Sequence, residues 1–506
     1  MIRLVGGLTR RPGWLLAAAA LALHLYASGG YGYFRDELYF IVCGERLDWG
    51  YVDQPPLIPL IAAIMHRLFA PSLVMLRLVP ALAHAGTVAL AAESARLLGG
   101  GRWAQAIAGL ATLVAGVLLG IGTVLTTNAL EPLAWLACGY ILIRIVREGD
   151  RRWWFALGAV TGMALLAKYA IAIWLASLGL GLLATRARRV LMRPEPYLAA
   201  VLAGLIVLPN ILWQAAHDWP FLEIARNAAE TKNVVLPPLA FLQAQAMMLN
   251  PATAPLWLAG FVAFAISPRL ADLRWVAVAV AALMAAMLAL HGRDYYTAGA
   301  YPLLFAGGGV ALEGWIASRA ARWGYVAVVV LFGLIAAPFS LPILPIEQFA
   351  RYQDFLRVTP QISEHRKLGR LPQYYADMFG WRELAALVGR AYESLPPDEQ
   401  RQAVFLARNY GEAAAIDVIG ETMPLPPAIS GHNNYFLWGP RGHDSSVVIR
   451  LGGNRDQLLK AYASVEPAGT VEHPWVMPDE TGLTLWICRG RKVPFDADWP
   501  SFKHYG

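Results

Sequence analysis

The chain has 506 residues, of which 57% are hydrophobic and only 15% charged, with a mean hydropathy of +0.45 and a formal net charge of +7. A soluble domain carries about a quarter of its residues as charges, so this composition excludes an ordinary soluble protein and points to a membrane chain. The excess positive charge is spread as arginines over short turns instead of forming one stripe, which excludes a nucleic-acid footprint.

Apolar segments predict spans at 13–29, 73–95, 103–123, 125–143, 154–170, 171–185, 197–213, 253–268, 275–290, 299–317 and 323–343. That is about eleven, several of them short of the roughly 20 residues a bilayer requires. Segment 13–29 follows a basic start, but so many spans follow it that a retained helix is simpler than a cleaved signal peptide. Lys168 interrupts 154–185, which reads either as two tightly turned helices or as one span plus a re-entrant piece.

Alternate turns carry Arg3, Arg10 and Arg11; Arg96 and Arg102; Arg144, Arg147, Arg151 and Arg152; Arg186, Arg188, Arg189 and Arg193; Arg269 and Arg274; and Arg319 and Arg322. The positive-inside rule places these turns in the cytoplasm. The acidic loop 30–58, the loop 214–250, the turn around Arg293 and the C-terminal region then face the other side. Cys43, Cys138 and Cys488 have neither metal-ligand spacing nor the density of a disulfide framework.

Composition changes near residue 344. Residues 1–343 therefore read as a polytopic membrane domain and 344–506 as a separate soluble domain, joined through the Pro-rich stretch 338–347. Strand-like runs at Ala403–Leu406, Val447–Leu451 and Leu483–Ile487 alternate with helical patterns at Trp381–Tyr392 and Arg455–Ala463. The expected fold is thus an α-helical multispanning membrane protein with a C-terminal α/β or α+β domain.

The first loop holds the densest chemistry. Asp36 and Glu37 are adjacent, so on a helix they point about 100 degrees apart and only one can face a reacting centre. Asp36 is the preferred general base for a hydroxyl nucleophile, whereas Glu37 is a second catalytic candidate or a ligand for a divalent cation. The alternative is a pair of acids on a solvated loop. Asp53 and Gln54 precede Pro55 and Pro56, whose rings fix the backbone and make a rigid polar binding turn or a plain helix entry.

Two charges lie inside apolar runs. Lys168 requires an anion, either a carboxylate or a substrate phosphate, and Glu131 lies one turn after Asn128 as a satisfied buried acid or a candidate metal ligand. Arg293 can pair with a phosphate, and Tyr295 and Tyr296 can line a headgroup site or form an interfacial aromatic belt. No histidine pair or Cys/His grouping has zinc spacing.

The runs YGYFRDELYF, WGYVDQPPLIPL, ALLAKYA, PNILWQ and DYYTAGAYP, with LPQYYADMFGW, NYGEAAAIDVIG and SGHNNYFLWGP further on, resemble bacterial members of the dolichyl-phosphate-mannose-protein mannosyltransferase-like family. That family includes the aminoarabinose transferases and belongs to the GT-C glycosyltransferases. The resemblance implies an inverting, multispanning transferase of the bacterial inner membrane with a periplasmic C-terminal domain. It implies a polyprenyl-phosphate sugar donor, a periplasmic glycolipid, polysaccharide or protein acceptor, and Asp36 in the place of the catalytic acid. Where the family commonly has an Asp at the start of the fourth span, this chain has Asn128, with Glu131 one turn later.

The expected mechanism places the donor phosphate near Lys168 and Arg293, with a divalent metal on Glu131 or Glu37, while Asp36 deprotonates the acceptor. Two other classes compete: a transporter or flippase of lipid-linked intermediates, with Lys168 and Glu131 as a switched pair, and a membrane-anchored envelope scaffold.

Overall fold

The computed structural model describes residues 12–231, 236–360, 367, 369–443 and 446–506. The basic start with Arg3, Arg10 and Arg11 lies outside them. The chain forms two compact units, one of Met1–Gly30, Val74–Trp213 and Val234–Pro345, the other of Tyr31–Leu73, Gln214–Asn233 and Ile346–Gly506. Together they comprise a multispanning α-helical membrane core and a C-terminal α/β domain.

In the first unit, among the described residues, four helices are long and apolar enough to cross a bilayer: Leu73–Leu97, Glu195–Ala216, Pro268–Ala289 and Arg319–Phe339. Two bent pairs, Ile171–Leu183 with Arg186–Met192 and Pro238–Leu249 with Pro251–Ile266, raise this to six if each is one span. Length and apolarity alone thus give fewer spans than the eleven apolar segments suggest. The shortfall has a physical origin: Pro12–Ala27 and Arg152–Ala167 have 16 residues each, and the segment 103–123 breaks into Arg102–Leu113 and Gly116–Ile121. At 1.5 Å per residue a 16-residue helix reaches about 24 Å, less than the hydrocarbon thickness.

Lys168 resolves the ambiguity at 154–185. It adopts φ −160° and ψ 132° after Arg152–Ala167, so the helix stops there and a separate helix begins at Ile171. Helices approach closely where side chains are smallest. A methyl group on Gly260 would collide with the Leu304 carbonyl, and one on Gly308 with the Leu256 carbonyl, so Ala254–Ile266 and Tyr301–Trp315 pack backbone to backbone. The Trp135 and Trp174 rings stack at 5.3 Å, and Trp174 Nε1 donates to the Trp135 carbonyl over 3.1 Å.

The arginine-bearing turns meet at one end of this unit. Arg147 pairs with Asp272 at 2.9 Å and donates to the Leu97 carbonyl at 2.8 Å, and Arg151 pairs with Glu195 at 3.0 Å. Glu313 accepts the Gly101 amide at 2.6 Å.

Among the described residues, the second unit carries a five-stranded sheet of order β2-β1-β3-β5-β4. Its strands are β1 (Ala403–Leu406), β2 (Ala428–Ile429), β3 (Val447–Leu451), β4 (Tyr462–Val471) and β5 (Leu483–Arg491). β1 pairs in parallel with β2 and β3, while β5 pairs antiparallel with β3 and β4. β1 is buried at all four positions, as expected of a strand inside a sheet covered on both faces. Helix Tyr410–Ile419 packs on helix Arg35–Glu45, which in turn packs on Leu57–Phe69. The first loop therefore contains a helix and shares a compact unit with the C-terminal segment.

Candidate functional site

In the second unit, the acidic pair opens the helix Arg35–Glu45, where unpaired amides and the helix dipole favour negative charge. The two acids diverge as neighbours on a helix must. Glu37 is fully buried and its Oε2 accepts the Phe34 amide at 2.8 Å, capping the helix. Asp36 stays partly exposed, and its Oδ1 accepts the Tyr410 hydroxyl at 2.8 Å. The Arg35 guanidinium lies 4.8 Å from the centre of the Tyr410 ring. Burial and the Asp36 charge push the Tyr410 phenol well above its ordinary value, so it remains a donor.

Asp53 stands beside this pair. Its Oδ1 accepts the Tyr39 hydroxyl at 3.1 Å and its Oδ2 accepts Asn433 Nδ2 at 3.0 Å. The Tyr39 and Tyr410 rings lie 4.6 Å apart, which links the surroundings of the two carboxylates. Burial pushes Asp53 up to about 6 against the pull of these hydrogen bonds, and the Asp36 charge adds to the rise. Gln54 is buried; its Nε2 reaches Cys43 Sγ at 3.6 Å, and its Oε1 has no hydrogen-bond partner among the described residues.

The run Gly431–Tyr435 is both a tight turn and a polar element. Asn433 takes φ 49°, and Asn434 Oδ1 accepts the Val52 amide at 2.6 Å. Tyr410, Asn433 and Asn434 complete the surroundings of the acids; from sequence the run 431–435 reads as a polar site or, preferably, a rigid turn, and Tyr410 carries no assigned role. Two of the runs that carried the family resemblance contain them, but nothing in local sequence tells which partner each takes hundreds of residues away.

In the first unit, Lys168 finds its anion in Glu131, with Nζ to Oε2 at 2.9 Å, and it also donates to Asn128 Oδ1. Its ammonium lies 4.5 Å from the centre of the Tyr296 ring, and the Tyr296 and Tyr295 rings meet edge to face at 4.8 Å. Tyr295 in turn bonds Arg293. Asn128, Glu131, Lys168, Arg293, Tyr295 and Tyr296 thus form one chain of contacts. The second carboxylate oxygen of Glu131 is buried without a hydrogen-bond partner among the described residues, beside a crevice lined by Lys168, Ala134, Ala164, Ala167 and Ile171.

A candidate cation-binding group lies elsewhere than at Glu131 or Glu37. Glu45, His66 and Glu421, in the second unit, present ligand atoms within 4.8 Å of one another, and His66 Nε2 lies 3.0 Å from Glu421 Oε1. Partial desolvation and the neighbouring Glu421 push Glu45 up to about 7. One imidazole and two carboxylates suit zinc or manganese. The distance between helices in sequence hid this group, since no two of its members share a motif.

The family model for dolichyl-phosphate-mannose-protein mannosyltransferase matches residues 53–213. No match is found among curated proteins. The fold is similar to that of ArnT from Cupriavidus metallidurans in the apo state, with a TM-score of 0.60 at 15% identity over 94% of this chain and 97% of that one. The same enzyme bound to undecaprenyl phosphate gives a TM-score of 0.59 at 14% identity with the same coverage. Arabinofuranosyltransferase AftD from Mycobacteria gives 0.53 at 13% identity over 96% of this chain and 42% of that one. The chain shares the fold of these structures over most of its length, at low sequence identity.

Proposed function

We propose that the chain is an inverting glycosyltransferase that moves a sugar from a polyprenyl-phosphate donor to an acceptor hydroxyl on the periplasmic face of a bacterial inner membrane. The observation that carries this reading is the Asp36 carboxylate, partly exposed at a helix N-terminus and held by Tyr410, in a chain that shares the fold of ArnT. Asp36 is preferred to Glu37 because Glu37 is turned back onto the Phe34 amide.

Asp36 takes the acceptor proton, the acceptor oxygen bonds to the anomeric carbon, and the bond from that carbon to the phosphate oxygen breaks with inversion. The polyprenyl phosphate leaves as charge gathers on its oxygen, where cations matter most. Phosphate binding is assigned to Lys168 and Arg293, and Asp53, Gln54, Tyr295 and Tyr296 are assigned to substrate binding. The protein chemistry supporting the phosphate assignment is the cationic and aromatic character of the Lys168–Tyr296–Tyr295–Arg293 run.

The test is transfer of radiolabel from a panel of polyprenyl-monophosphate sugars, by purified protein in lipid nanodiscs with membrane extract as acceptor. Asp36→Asn is expected to lose at least about a hundredfold in turnover, the size of a general-base contribution. Unchanged turnover in D36N would sink the assignment. The ion pair of Lys168 with Glu131 keeps a second reading, transport of lipid-linked intermediates, in view. In that case D36N is tolerated and Glu131→Gln is not.

A further inference from the structure

We propose that Tyr410 is a positioning residue for Asp36, so that the C-terminal segment supplies part of the acid's working geometry. The inference rests on the reading of Asp36 as the proton acceptor and extends it to a residue 374 positions later.

The contact is built from several sides. Tyr410 opens the helix Tyr410–Ile419, whose start is fixed by Asn409, its side chain accepting the Glu412 amide at 3.0 Å. The Tyr410 amide donates to His432 Nδ1 at 3.4 Å, and the two rings lie 4.9 Å apart. The Tyr39 ring is a further neighbour. Gly411 leaves the space that the Arg35 side chain fills; a Cβ there would lie 2.7 Å from Arg35 Cγ. With the ring so enclosed, the hydroxyl can aim at Asp36 without a large loss of rotamer freedom.

Chemistry gives that hydrogen bond a direction of effect. A donor bonded to a carboxylate favours the ionised form, the form a general base needs. The charged and titratable groups around Asp36 are Arg35 and Glu37 on its own helix, Tyr39, Asp53 on the following turn, and Tyr410. Asp377 and Glu480 act on Arg35, and His432 faces the Tyr410 ring. Asp53 opposes ionisation of Asp36, while Arg35 and the Tyr410 hydroxyl favour it. Phe at 410 keeps the ring and deletes only the hydroxyl.

The experiment uses full-length protein in nanodiscs. In Tyr410→Phe, kcat with the radiolabelled polyprenyl-monophosphate sugar panel should fall about tenfold with donor KM little changed. The acid limb of the pH profile should move up by about one unit, the size of a lost hydrogen bond to a charged group. A 3-fluorotyrosine at 410, a stronger donor of the same shape, should move that limb the other way, which a purely structural role would not do. The Asp36 carboxyl band, identified in pH-difference infrared spectra by its loss in D36N, should titrate about one unit higher in Y410F, with no substrate required.

An unmoved band in folded Y410F, or a moved band with unchanged kcat, overturns the proposal. Retained transfer in D36N instead overturns the reading of Asp36 as base, so the two failures are separable. If Y410F does not fold, the fluorinated residue decides alone.

Discussion

A carboxyl group enclosed by protein resists ionisation, and Asp53, pushed up to about 6, does so despite two donors on its oxygens. In the unfolded chain it ionises near 3.8. Between these values the native state binds more protons than the unfolded one, so this group makes stability decline as pH rises from about 4 to 6, after which the cost is constant. Asp53→Asn removes this pH dependence, while its amide nitrogen meets Tyr39 or Asn433, both donors to Asp53, so the loss of stability from pH 5 to pH 7 should shrink by about 1 kcal/mol whatever the variant's absolute stability. Thermal unfolding in detergent at pH 5 and 7 checks it, and a decline in D53N as large as in wild type contradicts it. Lys168 gives the converse case. Lys168→Met leaves Glu131 charged and alone in apolar surroundings and should cost about 3 kcal/mol, while K168M/E131L should recover most of it. A double variant no more stable than the single one would show that the pair is solvated. That Lys168 needs an anion was readable from its apolar flanks; that the anion is Glu131, 37 residues earlier, required the fold.

Helices announce themselves through apolar length, and each of the eleven apolar segments contains a helix or a pair of helices. Their breaks were less visible, because they come from single positions such as Lys168. Helices Pro220–Thr231 and Pro238–Leu249 fall in the stretch 214–250 read as loop, although each carries a helical pattern or an early proline, whereas Leu57–Phe69 follows the helix entry expected after Pro56. Strands β1, β3 and β5 were legible as short apolar runs, whereas β4 was not: its pattern is broken by Pro467 and Gly469 at a register shift. Close helix contact yields its own prediction. Gly308→Val in the helix Tyr301–Trp315 must push it away from Leu256 and should cost at least about 3 kcal/mol, seen as a lower midpoint or loss of monodisperse protein. The Glu45–His66–Glu421 group joins two helices to the turn after a third. Because Glu45 loses its proton near 7, zinc affinity at this group should rise between pH 6 and 8 and fall in E421Q, measured by titration calorimetry. Heat at pH 8 that is the same in E421Q would place the zinc elsewhere.

Across the whole molecule, the arginine-bearing turns gather at one end of the helical unit through the pairs of Arg147 and Arg151. With those turns cytoplasmic, an alkaline phosphatase fused after residue 506 should be active in cells and a green fluorescent protein fused there dark; the reverse pattern would invert the assigned orientation. The polytopic class and the C-terminal α/β domain were readable from sequence. The grouping of Tyr31–Leu73 with the C-terminal segment was not, because the hydropathy of 57–72 does not show which surface it covers. That grouping also sets a timetable. At about 5–20 residues per second, the ribosome needs roughly 20–75 s to travel from Asp36 to Tyr410. The nascent chain therefore carries an acid-bearing helix without its partner for most of its synthesis, and shortened products ending before residue 410 hold Asp36 with its native neighbour missing.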